Sequence, residues 1–516
     1  MNYKGLKKAR VLVALLFLIL TTILFLDIYE KYTETRVQEI LFFQFIPSLL
    51  KFIQTFAIGA VGFIIIIGLT IFVGRIYCSV ICPLGIMQDV FGWIAKKRSK
   101  ATFFFKKKKS YPILRYSLMA ITVLALLFSF STIVSILDPY SHFGRIVTYL
   151  LRPVIVMINN GTAEALHKYE IYSLNPVKLV SAPWLILLFT ITTFMAIAYM
   201  SYKRGRLFCN TICPVGTCLG LISNVSFLKI RFDEDNCTKC GKCIGVCKSE
   251  CIDLKTYAID YTRCVDCFNC LAVCNDSALK IGVTKSKTQS EASGRRGVIS
   301  AGLGLMLGQR LLAETKQSKG TLELLHNKKE YPVSPPGSLS IKRFNEICTA
   351  CGLCVAICPT QVLQPAIGQY GLKGFMQPHM DYLDGGYCNF DCRSCSQVCP
   401  TGAILPIEIE EKQLTQLGKA VFVKENCVVY TDGTDCGACS EHCPTKAVNM
   451  VPYEGSLLIP EVDQSICIGC GACEHPCPLD GPYKAIYVNG NAVHQAADKP
   501  KDEASSAVPI EEDFPF

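Results

Sequence analysis

The sequence has no Cys-x-x-Cys-His run, no GxGxxG or Walker loop, and no pairing of a nucleophile with a base. The first absence excludes c-type haem attachment and the second a nucleotide site. The third leaves no candidate catalytic residue. Histidine is scarce, with seven in 516 residues, and none lies in the long apolar stretches, so a bis-histidine haem inside a bilayer is excluded. Charged residues make up only 18% and mean hydropathy is positive at +0.32, which argues against both a disordered chain and an ordinary soluble enzyme. The length fits roughly three to four domains at ~150 residues each.

What is abundant is cysteine and apolar sequence. Four stretches are long enough to cross a bilayer: Val11–Leu26, Phe52–Val73, Ile113–Leu137 and Ala182–Met200. A spanning helix needs ~20 mostly apolar residues. No A-x-A cleavage site follows the first, so it reads as a retained helix and not a signal peptide. The net charge of +10 is concentrated at one set of helix ends: Lys4, Lys7, Lys8 and Arg10, then Lys96 to Lys109, then Lys203, Arg204 and Arg206. Lys and Arg mark the cytoplasmic side of membrane helices, so the excess reads as topology and not as nucleic-acid binding.

A segment repeats. GRIYCSVICPLG at 74–85 matches GRLFCNTICPVG at 205–216, each with two cysteines four apart, Cys78 with Cys82 and Cys209 with Cys213. On a helix, residues i and i+4 share a face. Two such faces would bring four thiolates together, enough for a metal or another iron–sulfur centre.

The other cysteine runs follow C-x2-C-x2-C-x3-C spacing. Cys237, Cys240, Cys243 and Cys247 form one, and Cys264, Cys267, Cys270 and Cys274 its copy, with Asp233 and Asp260 each four residues ahead. In such ferredoxin runs three close cysteines grip one cubane and the fourth ligates the other. That assigns Cys237, Cys240, Cys243 and Cys274 to one cluster and Cys264, Cys267, Cys270 and Cys247 to the second. Lys248 and Asn275 stand where proline usually follows, and Cys251 is extra. Four further groups are Cys348/Cys351/Cys354/Cys358, Cys388/Cys392/Cys395/Cys399, Cys427/Cys436/Cys439/Cys443 and Cys467/Cys470/Cys473/Cys477, all ending in C-x3-C-P. Zinc sites and disulfide frameworks fit this repetition poorly. Six [4Fe–4S] clusters use 24 of the 30 cysteines, the membrane repeat takes four, and Cys218 and Cys251 are left. Spacing does not say whether the last four groups pair as neighbours or are nested.

The expected fold class is therefore an α-helical membrane domain, with four transmembrane helices and an internal two-fold repeat, joined to α+β domains like bacterial ferredoxins. The expected units are residues 1–225 (transmembrane), 226–284 (two clusters), 285–340 (linker), 341–495 (four clusters) and 496–516 (tail). Within the linker, Arg295 and Arg296 precede an uncharged run from Gly297 to Gln309, short for a span and read either as a retained export anchor or as an amphipathic or buried linker helix, and Thr315–Pro336 reads as a flexible tether. Asp138, Pro139, Tyr140, Ser141, His142 and Arg145 form a loop after the third span, where His or Asp would suit proton transfer or Tyr140 and Arg145 would anchor the interface. Tyr149–Ile158 reads as an interfacial helix.

Residues 1–284 resemble the NapH-type membrane ferredoxin, with relatives in the NosR and CcoG groups. Residues 285–495 resemble the NapG-type four-cluster ferredoxin. The chain thus looks like a NapH–NapG fusion. The resemblance implies a quinol dehydrogenase module in the inner membrane, with the loop from Asp138 to Arg145 as the place where quinol protons would be released. Its two-cluster domain would be cytoplasmic and its four-cluster domain periplasmic. Electrons would pass between the quinone pool and a partner such as a periplasmic reductase or cytochrome. The rivals are an accessory protein that supplies electrons for metal-centre maturation, as NosR and CcoG relatives do, and outward transfer from a cytoplasmic ferredoxin.

Overall fold

The computed structural model describes residues 3–27, 34–55, 61–99, 105–106, 111–179, 182–283 and 325–499. The twin-arginine segment at 294–310, and the tail from 500 on, lie outside them.

The first helix, α1 (Tyr3–Leu26), has 24 residues, about 36 Å at 1.5 Å each. Arg10, Ala14, Thr21, Leu24 and Phe25 line its buried face, while Leu12, Leu16 and Ile19 face outward. Thr21 Oγ1 satisfies itself by donating to Phe17 O at 2.8 Å. Next come α2 (Glu34–Leu41), α3 (Phe45–Thr55) and α4 (Gly62–Val73). The short α5 (Tyr77–Val80) leads into α6 (Pro83–Ser99). Then follow α7 (Pro112–Leu127), α8 (Ser131–Leu137) and α9 (Pro139–Ile146). A π-helical turn at Val147–Leu151 continues into α10 (Arg152–His167). The helical region ends with α11 (Trp184–Arg204), α12 (Leu207–Thr211) and α13 (Pro214–Ser223).

Only α1 and α11 are long and apolar enough among the described residues to be candidate membrane spans. The other two expected spans are broken. Phe52–Val73 divides between α3 and α4, which pack on one another: Phe63 N donates to Ser48 Oγ at 3.0 Å and the Phe52 and Phe63 rings lie 5.3 Å apart. Ile113–Leu137 divides at Ser129, whose φ of 56° ends α7. Left-handed backbone cannot continue a right-handed helix. Apolar composition does not distinguish one long helix from two short ones folded together.

After α13 the chain forms a small domain. Strand β1 (Leu228–Phe232) pairs antiparallel with β4 (Leu279–Val283), and β2 (Ile252–Asp253) with β3 (Ala258–Ile259). The helices α14 (Lys242–Gly245) and α15 (Asn269–Val273) carry cysteines between them. The C-terminal domain holds α16 (Ile341–Ile347), α17 (Leu353–Ile357) and α18 (Ser394–Val398). Its ribbons are β5 (Leu363–Pro365) with β6 (Pro378–Met380), β7 (Thr415–Phe422) with β10 (Ile486–Ala496), and β8 (Val448–Pro452) with β9 (Leu458–Val462). Part of the expected tether belongs to this domain: Met380 N donates to Val333 O and Gly490 N to Tyr331 O.

The two ferredoxin-like domains sit at opposite ends of α1. Tyr3 and Leu6 pack against the core that holds Cys243, Cys247, Cys264 and Cys270. At the other end Phe25 is 1% exposed and α1 meets α17.

Candidate iron–sulfur sites

The cysteine pairs of the helical region do not sit on one helix face each. Cys78 lies in α5, but the helix breaks before Cys82, and Pro83 opens α6. Cys209 lies in α12, and Cys213 is the extended cap of α13, ahead of Pro214. Proline disfavours helical backbone in the residue before it, so the C-P step forces the break. Gly216 N then donates to Cys213 Sγ at 3.3 Å.

The four thiols nevertheless converge. Cys82 lies within electrostatic reach of Cys209 and Cys78, and Cys213 within reach of all three others. All four are buried. Two arginines cross between the segments. Arg206 NH1 donates to Cys78 O at 2.5 Å, and Arg75 NH2 donates to Cys209 O at 3.4 Å. Each arginine fills the space a side chain would need on the opposite segment. A Cβ at Gly85 would lie 2.7 Å from Arg206, and one at Gly216 2.9 Å from Arg75. Sulfur also accepts from side chains: Gln88 Nε2 donates to Cys209 Sγ at 3.2 Å, and Arg75 NH2 to Cys78 Sγ at 3.8 Å.

Buried guanidinium needs a counter-charge. Asp89 of α6 accepts from Arg206 Nε at 2.6 Å and pairs with Lys248 and, at 3.4 Å, with Arg10. Lys248 also accepts Arg206 N at its carbonyl, 2.9 Å away. The lysine that replaces a proline after Cys247 thus docks the small domain on the helices. Arg75 NH1 and Arg115 NH2 both donate to Thr262 O, at 2.8 and 2.6 Å, and Arg204 pairs with Glu250 at 2.6 Å. Sequence reasoning passed over Asp89, Gln88 and Arg75, and took Arg206 for a helix-end charge, whereas it is 1% exposed. Both arginines follow a helix-ending glycine in the repeat, which was the available signal.

In the small domain Cys270 lies near Cys267, Cys247 and Cys264, the set the crossed assignment names, and also near Cys243 of the other set. Cys243 lies near Cys240 and Cys237, and Cys274 packs on the same core. The extra Cys251 is buried with its Sγ 3.5 Å from that of Cys247.

The C-terminal domain answers the pairing question. Cys354 lies near Cys351, Cys348 and, from the next group, Cys399 and then Cys395. Cys395 lies near Cys388, Cys392 and Cys358. Cys427 lies near Cys436 and Cys477, and Cys473 near Cys470, Cys467 and Cys443. First and second groups exchange their fourth cysteines, as do third and fourth. The two pairs meet where Cys388 N donates to Cys470 O at 2.9 Å.

These sets fit iron–sulfur ligation. All thirty cysteines are free, as cluster ligation requires. Backbone amides point at sulfur, as Ala447 N does to Cys443 at 3.2 Å and Ala420 N to Cys467 at 3.4 Å. Burial pushes the Cys351 and Cys470 thiols up to about 12, and a bound metal favours the thiolate by pairing with its charge. Among the described residues no three His, Cys, Asp or Glu side chains gather as tightly as a single ion requires.

The residues expected to form a quinol loop are instead helical and buried. Asp138 caps α9, accepting from Ser141 N at 2.9 Å and Tyr140 N at 3.3 Å. Arg145 donates to Ser135 Oγ at 2.9 Å, and His142 Nε2 bonds Ile136 O at 2.6 Å. Burial, then Arg145, holds the His142 imidazole down at about 3. These groups are committed to holding α8 and α9 beneath the C-terminal domain. Tyr149 is buried there too, and along Tyr149–Ile158 one face is surface, with Leu151, Val154, Met157 and Ile158 exposed and Arg152 and Val156 buried.

The family described as "4Fe-4S binding domain" matches residues 55–101 and 185–232, the segments with Cys78/Cys82 and Cys209/Cys213. The family described as "4Fe-4S dicluster domain" matches residues 347–403 and 433–480. The methylamine utilization ferredoxin-type protein MauM of Methylophilus methylotrophus is 36% identical over 28% of this chain and 66% of its own length. MauM of Methylorubrum extorquens is 31% identical over 36% of this chain and 81% of its own. The ferredoxin-type protein NapG of Escherichia coli is 33% identical over 29% and 67%. The chain spans about two thirds of the first two MauM relatives, at 66% and 63%. No solved structure matches the chain. With crossed cysteine sets and these likenesses in hand, the chain is an iron–sulfur electron-transfer protein and belongs to the ferredoxin-type family of MauM and NapG.

Proposed function

We propose that the chain is a membrane-embedded conductor that carries electrons between the quinone pool and a redox partner, with six [4Fe–4S] clusters in its two ferredoxin-like domains and a further one in the helical region. The observation that carries this is the order of cysteine sets along α1. One pair of sets lies at its Tyr3 end, the Cys78/Cys82/Cys209/Cys213 set lies beside it in the helical region, and the four remaining sets begin at its Phe25 end. An outward-facing apolar surface on α1, α4, α7 and α11, including Leu12, Phe72, Leu127 and Leu188, supports embedding in lipid, because the hydrocarbon core is its natural solvent.

Thiolate-held cubanes supply one-electron storage. The protein's own part is to hold and insulate them. In the helical set, four thiolates around a 2+ cubane leave a net charge of about −2. Arg75 and Arg206, 0% and 1% exposed, offset it. The related "GR…C-x3-C-P-x-G" segments and the crossed arginines support a two-fold arrangement there. The basic helix ends at Lys4–Arg10 and Lys203–Arg206 adjoin the small domain, which supports a cytoplasmic position for it and the opposite side for the C-terminal domain.

The test is EPR on the anaerobic full-length protein in detergent, before and after a menaquinol analogue. Reduced-cluster signals that rise with quinol are expected. Signals that rise only with dithionite would defeat the quinol reading and favour a low-potential donor.

A further inference from the structure

A cavity of about 490 Å³ lies between the Tyr3 half of α1, the helix α6 and the small domain. Its size falls within the ~300–1,000 Å³ of small-molecule sites. Ala14, Leu15 and Trp93 form its apolar walls. Leu15 and Trp93 are also exposed on the outer helical surface, so the cavity borders the apolar belt. Its inner end is polar. Gln88 is fully buried and its Oε1 has no hydrogen-bond partner, and Arg10 Nε, also buried, has none. A buried acceptor left unmade is costly. The same Gln88 amide donates through Nε2 to Cys209 Sγ at 3.2 Å. The opposite wall carries Val246 and Asn269, each one residue from a cysteine, Cys247 and Cys270.

We propose that this cavity is the quinol site, taking the ring between the helical cysteine set and the small domain with its isoprenoid tail in the belt. The inference rests on the quinol reading above and gives it a place. Gln88 Oε1 accepts a quinol O–H, and Arg10 Nε donates to a ring oxygen. Oxidation of the bound quinol to quinone releases two electrons and two protons. Oxidised cubanes held by Cys209 and by Cys247 or Cys270 would accept one electron each, and the protons leave to water past Lys7 and Lys96 at the rim. A phospholipid headgroup fits less well, because the inner cations Arg10 and Lys248 are already engaged with Asp89.

Two variants fill the cavity without touching a cysteine: Ala14→Phe, and Gly92→Val, where a Cβ would meet nothing closer than 3.9 Å. Full-length protein is labelled with an azido-substituted short-chain quinone and the modified peptide located by mass spectrometry. Cluster reduction by menadiol is followed in parallel by absorbance. Label on α1 or α6 is expected in wild type and lost in both variants. Menadiol reduction should slow by about tenfold or more, while dithionite-reduced EPR spectra stay unchanged. Rapid menadiol reduction in a variant with intact EPR, or label elsewhere, would overturn this location and leave the quinol reading standing. Loss of a tightly held phospholipid in place of quinone label would make it a lipid site and overturn it. A wild type neither labelled nor reduced would overturn both. If Ala14→Phe loses its EPR spectrum, Gly92→Val decides.

Discussion

The carbonyl oxygen of Cys351 lies against Gly144 so closely that a Cβ at position 144 would sit 2.2 Å from it. The first cysteine set of the C-terminal domain is thus seated directly on α9. Around this contact, Gln377 Nε2 donates to Ser131 Oγ at 2.9 Å, and Thr148 Oγ1 donates to Gly352 O at 3.4 Å. Gly144→Val should force the surfaces apart, at a cost of about 1–3 kcal/mol for overpacking. Limited proteolysis between the domains should accelerate, and electron flow from the helical region to Cys351 should slow. Unchanged proteolysis would show that the interface is not seated as described.

The crossed sets make a sharper prediction. Cys399→Ser should alter the same EPR signal as Cys348→Ser, and Cys358→Ser the same one as Cys388→Ser. Nested pairing, first group with fourth, would instead couple Cys348 with Cys477.

In the helical set, Cys209→Ala with Cys213→Ala should lower bound iron by about four atoms per chain while the ferredoxin-type signals persist, since a cubane holds four irons. Arg206→Gln, which breaks the bonds to Asp89 and to Cys78 O, should push iron content in the same direction. Iron that stays constant in both variants would remove the cluster from this site.

His494 offers a pH test away from any cysteine. It bonds Ser334 Oγ at 2.9 Å, and burial holds its imidazole down at about 4. An unfolded histidine binds its proton near pH 6.5. Between about pH 6.5 and 4 the unfolded chain therefore takes up a proton that the fold refuses. Stability should fall with pH across that window, by at most ~1.4 kcal/mol per unit. His494→Gln should flatten this part of the stability curve measured by denaturant titration. An unchanged slope would place the acid sensitivity elsewhere.

The cysteine chemistry was legible because cluster ligands are constrained in sequence as well as space. Cys264, Cys267 and Cys270 are named by their spacing, and Cys247 by the crossed rule. The helical architecture was less legible. Hydropathy reads Ile113–Leu137 as one apolar run and is blind to the backbone reversal at Ser129. Likewise, His142 and Asp138 look reactive in a list of residues. Only the fold shows that Ser141, Ile136 and Arg145 already occupy their polar atoms. Lys248 stands out in the sequence only as a replacement for proline, and its partner Asp89 lies 159 residues away, beyond any local pattern.

The length of α1 has an energetic consequence. With one ferredoxin-like domain at Tyr3 and the other at Phe25, an electron passing between them travels the whole helix, about 36 Å. On the proposed orientation that is charge movement through the membrane field, worth about 2.3 kcal/mol per electron for each 100 mV. A membrane negative inside would drive electrons from the Asp89 end toward Cys351 and oppose their return. The protein would then behave as a rectifier set by the energised state of the cell, and collapsing the potential with an ionophore would slow outward flow with every cysteine still in place.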